Sequence, residues 1–165
     1  EAGSSFVTLD LSYHTASGTW DTHGIPGCVY GGITKGLGDL LPLFDHLLTT
    51  LVSDLEKRDL LDDTLVIAMG EFGRTPNMGT QGSTDGRNHW PVVMSMCMAG
   101  GGLNHNQTLG STVTDGSHLK DRQILPGDIA ATIYSKLGIP LLTTHVIGDG
   151  RPMRLCEGQP IRELA

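Results

Sequence analysis

Three short words in this chain hold the residue types that do chemistry. The first is Trp20-Asp21-Thr22-His23. A carboxylate and an imidazole two residues apart on an extended loop point roughly the same way. They can share one cation, because zinc accepts both ligand types at about 2.0–2.2 Å. The competing reading is a turn, in which Asp21 bonds nearby backbone amides. The second word is Met69-Gly70-Glu71-Phe72-Gly73-Arg74-Thr75-Pro76. Glu71 follows directly on an apolar run, where α/β enzymes place catalytic groups. Gly70 and Gly73 let the backbone turn closely around it. Arg74 can clamp an anionic oxygen through its planar fork. A Glu71–Arg74 ion pair that only shapes the loop is an equal alternative. The third word is Gly86-Arg87-Asn88-His89-Trp90-Pro91. His89 would enter the same rim from the preceding loop, or else pack on Trp90. The other histidines carry a blander reading: His46 sits on a helix, and His105, His118 and His145 sit in polar loops. His14 is near enough to the first word to support a ligand from outside.

The elements that must position these groups are legible in outline. Ser5 to Leu11 has strand character, and Ser12 to Gly38 reads as a long Gly-rich loop. A helix is expected from about Asp39 to about Arg58, with Leu40, Phe44, Leu47, Leu48, Leu51 and Leu55 on one stripe. Asp39 can cap its start, Pro42 is tolerable in the first turn, and Lys57 and Arg58 suit the last. Thr64 to Met69 is a near-continuous apolar strand of the kind buried on both faces of a parallel sheet. Glu71 to Trp90 is a second long polar loop, and Val92 to Met98 is another apolar strand ending at Ala99-Gly100-Gly101-Gly102. Thr108 to Thr114 suits a short edge strand or hairpin arm. Pro126 to Leu137 reads as a helix with Ile129, Ile133 and Tyr134 inward, stopped by Gly138 and Pro140. The tail from His145 onward reads as irregular. This order predicts an α/β fold with a mostly parallel, doubly wound sheet flanked by helices. Both long loops would then open onto one edge of that sheet.

Bulk properties narrow the function. The 165 residues suit one domain, and 38% hydrophobic residues with 23 Gly and 8 Pro suit a modest core with many turns. A formal net charge of -7, with no dense basic run, argues against nucleic-acid binding. No apolar stretch is long enough to span a bilayer. Seven histidines make metal binding worth testing. The cysteines Cys28, Cys97 and Cys156 match no zinc or redox spacing. Cys97 reads as a small buried hydrophobe, and a Cys28–Cys156 pair has little to recommend it. The chain opens at Glu1 without a Met or a signal peptide, which fits a fragment or a processed chain.

Taken together, and in this order, the three words resemble the bacterial family DUF1501, within the alkaline phosphatase-like and sulfatase-like superfamily. Leu61-Asp62-Asp63-Thr64-Leu65-Val66, Ala99-Gly100-Gly101-Gly102, Asp128-Ile129-Ala130-Ala131-Thr132-Ile133-Tyr134 and Gly150-Arg151-Pro152 also fit, so the resemblance spans nearly the whole chain. It implies an alkaline phosphatase-like sheet with metals at the strand C-termini. Residues 1–165 would be the C-terminal part of a single such domain, the N-terminal part missing. On this resemblance Asp21 and His23 look like the first ligand pair, His89 like the final His, and Glu71 stands at the later Asp. Phe72 stands where a second-metal His would be, and a phenyl ring cannot ligate. The nucleophilic Ser or Thr would come from an earlier strand, before Glu1.

The implied activity is metal-dependent hydrolysis of phosphate or sulfate esters, on a small-molecule or polymer substrate. The expected cofactor is a divalent metal, Zn first, with Mn, Ca or Mg as alternatives. Asp21, His23, Glu71 and His89 are the expected metal residues, and Glu71 and Arg74 the expected catalytic ones. Arg74 or Arg87 would stabilise developing negative charge. Export to the periplasm or beyond is implied by the family. The alternative is a non-catalytic exported protein, a metal-binding or scaffold member that keeps the fold.

Overall fold

The computed structural model describes residues 3–11, 20–24, 31–80 and 82–165. His14 and Cys28 lie outside the described residues, as do parts of the expected loop 12–38. The chain divides into two compact units. The first takes Glu1–Leu47 and Arg74–Trp90, and the second Leu48–Gly73 and Pro91–Ala165.

The long helix forms as its apolar spacing demands. One π-type turn, Ile33–Leu37, leads into α1, Gly38–Lys57. Asp39 lies inside the first turn and Lys57 in the last, each at the end that the helix dipole favours. Leu40 is buried, and Phe44, Leu48, Val52 and Leu55 are half-buried, so the covered stripe follows the period of about 3.6. Leu47 and Leu51 were expected on that stripe but are exposed. Residues 3–11 form no strand, and Phe6, Val7 and Leu9 are exposed.

The sheet differs from expectation. Strand β1, Val66–Met69, is followed by the two-residue β2, Gly73–Arg74, and β3, His89–Trp90, which pair with each other. Strand β4, Met96–Ala99, pairs antiparallel with β1, in the register Val66↔Ala99 to Met69↔Met96. Two hairpin ladders follow. β5, Ser111–Thr112, pairs with β6, Leu119–Asp121, and β7, Thr144–Val146, pairs with β8, Pro152–Arg154. The β7–β8 hairpin lies in the tail expected to be irregular. The architecture is therefore two helices with short antiparallel two-stranded ladders, not a parallel doubly wound sheet. The reason is the connection. Parallel neighbours need a crossover of a dozen or more residues, usually a helix. No helix lies between Met69 and Met96, and the chain returns through loops and the short β2–β3 ladder. The apolar run at 65–68 was taken as the mark of burial on both faces, yet Val66, Ile67 and Ala68 are only half-buried.

The core of the second unit gathers Leu103, Ile161 and Leu164, with Leu65, Met98, Leu109, Ile124 and Ile129 packed on them. Helix α2, Pro126–Lys136, starts with Pro at the position where its missing N–H is harmless. The Asp128 carboxylate accepts the N–H groups of Leu125 at 3.0 Å and Gln159 at 2.9 Å, which ties the C-terminal tail to the helix start. Ala131 and Thr132 are the buried face, while Ile129, Ile133 and Tyr134 are half-buried. The Thr132 hydroxyl donates to the Asp128 carbonyl at 2.7 Å and accepts from the Ile161 N–H at 3.0 Å. Gly100 has φ +72°, and a Cβ there would overlap the carbonyls of Leu61 and Thr64. Cys97 is exposed, because its alternate position on β4 faces away from the half-buried Met96 and Met98. Cys156 is a buried free thiol whose Sγ donates to the Gly127 carbonyl at 3.1 Å.

Leu103→Ala should lower the unfolding free energy by about 2–3 kcal/mol, because it removes the centre of a small cluster. Urea denaturation monitors it. A loss below about 0.5 kcal/mol would show that the cluster does not hold this unit.

Candidate metal-binding site

The first compact unit brings the first and third words together. Trp20, at φ 60°, sets its ring edge-on to Phe44 of α1, with centroids 6.1 Å apart, and its indole N–H donates to the Leu11 carbonyl at 3.2 Å. That fixes the start of the Asp21-Thr22-His23 turn. The opposing segment, Ser83 to Asn88, is strapped to it through the backbone. The Arg87 N–H donates to the Thr22 carbonyl at 2.8 Å, and the Ile33 N–H donates to the Asp85 carbonyl at 2.8 Å. Gly86 lies so close that a Cβ there would overlap the His23 carbonyl, which explains a glycine in this word.

Three side chains stiffen the strap. The Asp85 carboxylate accepts the Thr34 hydroxyl at 2.7 Å and the Thr34 N–H at 3.0 Å. These two bonds hold the exposed Asp85 carboxyl below the usual range. Arg87 donates Nε to the Thr75 carbonyl and Nη2 to the Pro76 carbonyl, the latter at 3.2 Å. Thr75 returns two bonds to Asn88: its N–H donates to the Asn88 carbonyl at 2.9 Å, and its hydroxyl accepts the Asn88 N–H at 3.0 Å. Arg87 is thus a clamp on its own loop rather than an anion-binding fork.

This strap places the His23 and His89 rings 4.8 Å apart, centroid to centroid, at an interplanar angle of 55°. His23 is buried at 9% exposure and His89 is exposed. The expected convergence of these two imidazoles is therefore present. Asp21 behaves differently from the expectation of a side-by-side ligand. Its Oδ1 accepts both the His23 N–H, at 3.0 Å, and the His23 ring Nδ1. The Asp21 carboxyl is pushed up by burial. The His23 N–H, the His23 ring and the charge of Arg74 outweigh that and hold it below its ordinary value of 3.8. The other His23 nitrogen, Nε2, faces Asn88 Oδ1 at 3.2 Å, and the same Oδ1 accepts the His89 N–H at 2.8 Å.

A family model described as a protein of unknown function, DUF1501, matches residues 1–165. The chain belongs to the DUF1501 family. Neither the curated proteins nor the solved structures give a match.

In this DUF1501 chain, the residues expected at the site divide by unit. Asp21, His23, Arg74 and His89 lie in the first, and Glu71, exposed, lies in the second with the half-buried Phe72. Among the described residues, no three His, Cys, Asp or Glu side chains are arranged to hold a metal ion. The local reason is that Asp21 and His23 bond each other instead of facing a common point. What remains fits a cation through different atoms. Two donors each about 2.1 Å from one cation stand about 3.0–3.4 Å apart. The His23 Nε2 to Asn88 Oδ1 separation of 3.2 Å falls in that range. Two imidazoles on one cation have centroids about 4.5–5.3 Å apart, once about 1.1 Å from nitrogen to centroid is added. The observed 4.8 Å falls there as well. Sequence reasoning missed Asn88, although it sits inside the third word. Its signal is an amide oxygen directly beside a candidate ligand. The buried Thr22 hydroxyl, which has no hydrogen-bond partner among the described residues, had no such signal.

The Asp21 shift has a definite sign. A carboxyl held below 3.8 in the folded state adds stability that is present above that value and lost as pH falls through the folded one. Asp21→Asn should therefore flatten the loss of stability on going from about pH 6 to about pH 3. Urea midpoints across that range measure it, and parallel curves for the two proteins would show that Asp21 gains nothing from His23.

Proposed function

We propose that this chain is part of an exported metal-dependent hydrolase of phosphate or sulfate esters, with a divalent cation at the His23–His89 pair. The observation that carries the reading is the meeting of two imidazoles from loops 65 residues apart, with ring centroids 4.8 Å from each other. The order of the three words supports relating the chain to the alkaline phosphatase and sulfatase superfamily. That relation rests on the ligand types, and the antiparallel ladders contribute nothing to it.

When bound, the cation would supply Lewis-acid polarisation of an ester oxygen. The protein's own groups do the rest. Asp21 orients His23 by holding its Nδ1. Arg74, whose charge already reaches Asp21, is the group suited to meet negative charge developing on the ester. With a net charge of -7, the chain as a whole repels anionic esters, so attraction must come from such local cations. Glu71, in the other unit, carries no part of this reading.

A second reading is favoured by Phe72, which replaces the imidazole that the resemblance would require for a second metal. On that reading the protein is an exported metal-binding or scaffold member without turnover.

The purified protein should take up Zn or Mn close to one per chain, measured by elemental analysis after soaking and desalting. His89→Ala should lower that content by about tenfold or more with an unchanged circular dichroism spectrum. Unchanged content would remove His89 from the ligand set. Aryl phosphate or aryl sulfate turnover should vanish with chelator; metal uptake without turnover would select the second reading.

A further inference from the structure

His23 and Asn88 meet in a way that hydrogen bonding alone does not account for. The Nδ1 of His23 faces the Asp21 carboxylate, which accepts and so calls for a hydrogen on Nδ1. In the neutral ring that leaves a lone pair on Nε2. The atom opposite, at 3.2 Å, is the amide oxygen of Asn88, also an acceptor. An amide flip would ordinarily relieve such a meeting. Here it cannot, because Oδ1 also accepts the His89 N–H at 2.8 Å, and a flipped NH2 would point at that donor. Two lone-pair atoms are thus held face to face in a partly buried position, beside a second imidazole. The backbone strap through Arg87 and Thr22 keeps them there.

From this geometry we propose that Asn88 Oδ1 is itself a metal ligand, closing a mixed set with His23 Nε2 and His89, and that Asp21 is a positioning residue that does not touch the metal. The proposal rests on the metal-site reading above and changes its atoms. A carboxylate on the far nitrogen of a ligating imidazole is the usual outer support of such a site: it fixes the tautomer and raises the basicity of the coordinating nitrogen. An amide oxygen with two imidazoles is a borderline-to-hard donor set, suited to Zn or Mn rather than to a thiophilic ion. The Asn88 oxygen has a lone pair to give, since a carbonyl oxygen carries two and the His89 N–H uses one.

The test titrates the whole chain with Zn2+ and with Mn2+ by calorimetry, as wild type, Asn88→Ala, Asn88→Asp and Asp21→Asn. In parallel, long-range 1H–15N spectra of histidine-labelled protein with Zn2+ read which ring nitrogen of His23 is bound. Asn88→Ala should weaken binding at least tenfold. Asn88→Asp, which keeps an oxygen at that place, should restore or tighten it, separating a lost ligand from a lost fold. Asp21→Asn should weaken binding while Nε2 remains the bound nitrogen. Wild-type affinity in Asn88→Ala, failure of Asn88→Asp to recover it, or coordination through Nδ1 would overturn this inference and leave the metal-site reading standing. A wild-type chain that binds neither ion would overturn both.

Discussion

The arrangement at the imidazole pair depends on one contact, the backbone strap in which the Arg87 N–H reaches the Thr22 carbonyl at 2.8 Å while Gly86 lies against the His23 carbonyl. It is a contact between main chains, so it sets the spacing of the two loops before any side chain is placed. Once it forms, His23 and the Asn88-His89 pair have little freedom left. Trp20 on Phe44 anchors one side, and Asp85 on Thr34 anchors the other. Arg87 then pins its own loop to the carbonyls of Thr75 and Pro76. A side chain larger than hydrogen at position 86 would force the strands of this strap apart, and the imidazoles with them.

What could be read from the sequence follows from how local each feature is. Helix α1 was legible because its apolar stripe repeats within one segment, and Leu40, Phe44, Leu48 and Leu55 are covered as the period requires. Leu47 and Leu51 were not, because the width of a covered stripe is set by what lies against it. The pairing direction of β1 and β4 was illegible for the same reason. An apolar run such as Leu65 to Ala68 records that a strand is covered, but its direction is decided by the route of the chain between partners. Ile161 and Leu164, read as part of an irregular tail, are core residues held through Thr132 and Asp128, more than 28 residues away.

The site was legible in its residue types and less so in its atoms. His23 and His89 are brought together as the three words suggested. Asp21 was expected beside His23 on a shared cation. A carboxylate two residues before an imidazole also has the backbone N–H and the near ring nitrogen within reach, and it takes both. Spacing alone cannot rank these outcomes, since both need the same two residues at the same separation. The long-range partner decides: Asn88 meets the far nitrogen, which leaves Asp21 to hold the near one.

Within the first unit, Leu40 is the one buried hydrophobic residue among those described, so the loops there are organised by polar contacts more than by apolar packing. A single such bond contributes only about 0.5–1.5 kcal/mol net, and exposed ones less. A set of this kind holds one geometry only while most of its members are intact. Electrostatics adds a directional term: Asp21 is most useful ionised, and the Arg74 charge and the His23 N–H both keep it so. In such a framework a cation at the proposed site would act on folding as well as on chemistry. Because its donors come from two loops that only the folded chain brings together, binding selects the folded state. At a free ion concentration about a hundredfold above the dissociation constant, the gain is about 2.7 kcal/mol. That exceeds any single hydrogen bond in the strap, so an ion held there would be the strongest contact between the two loops.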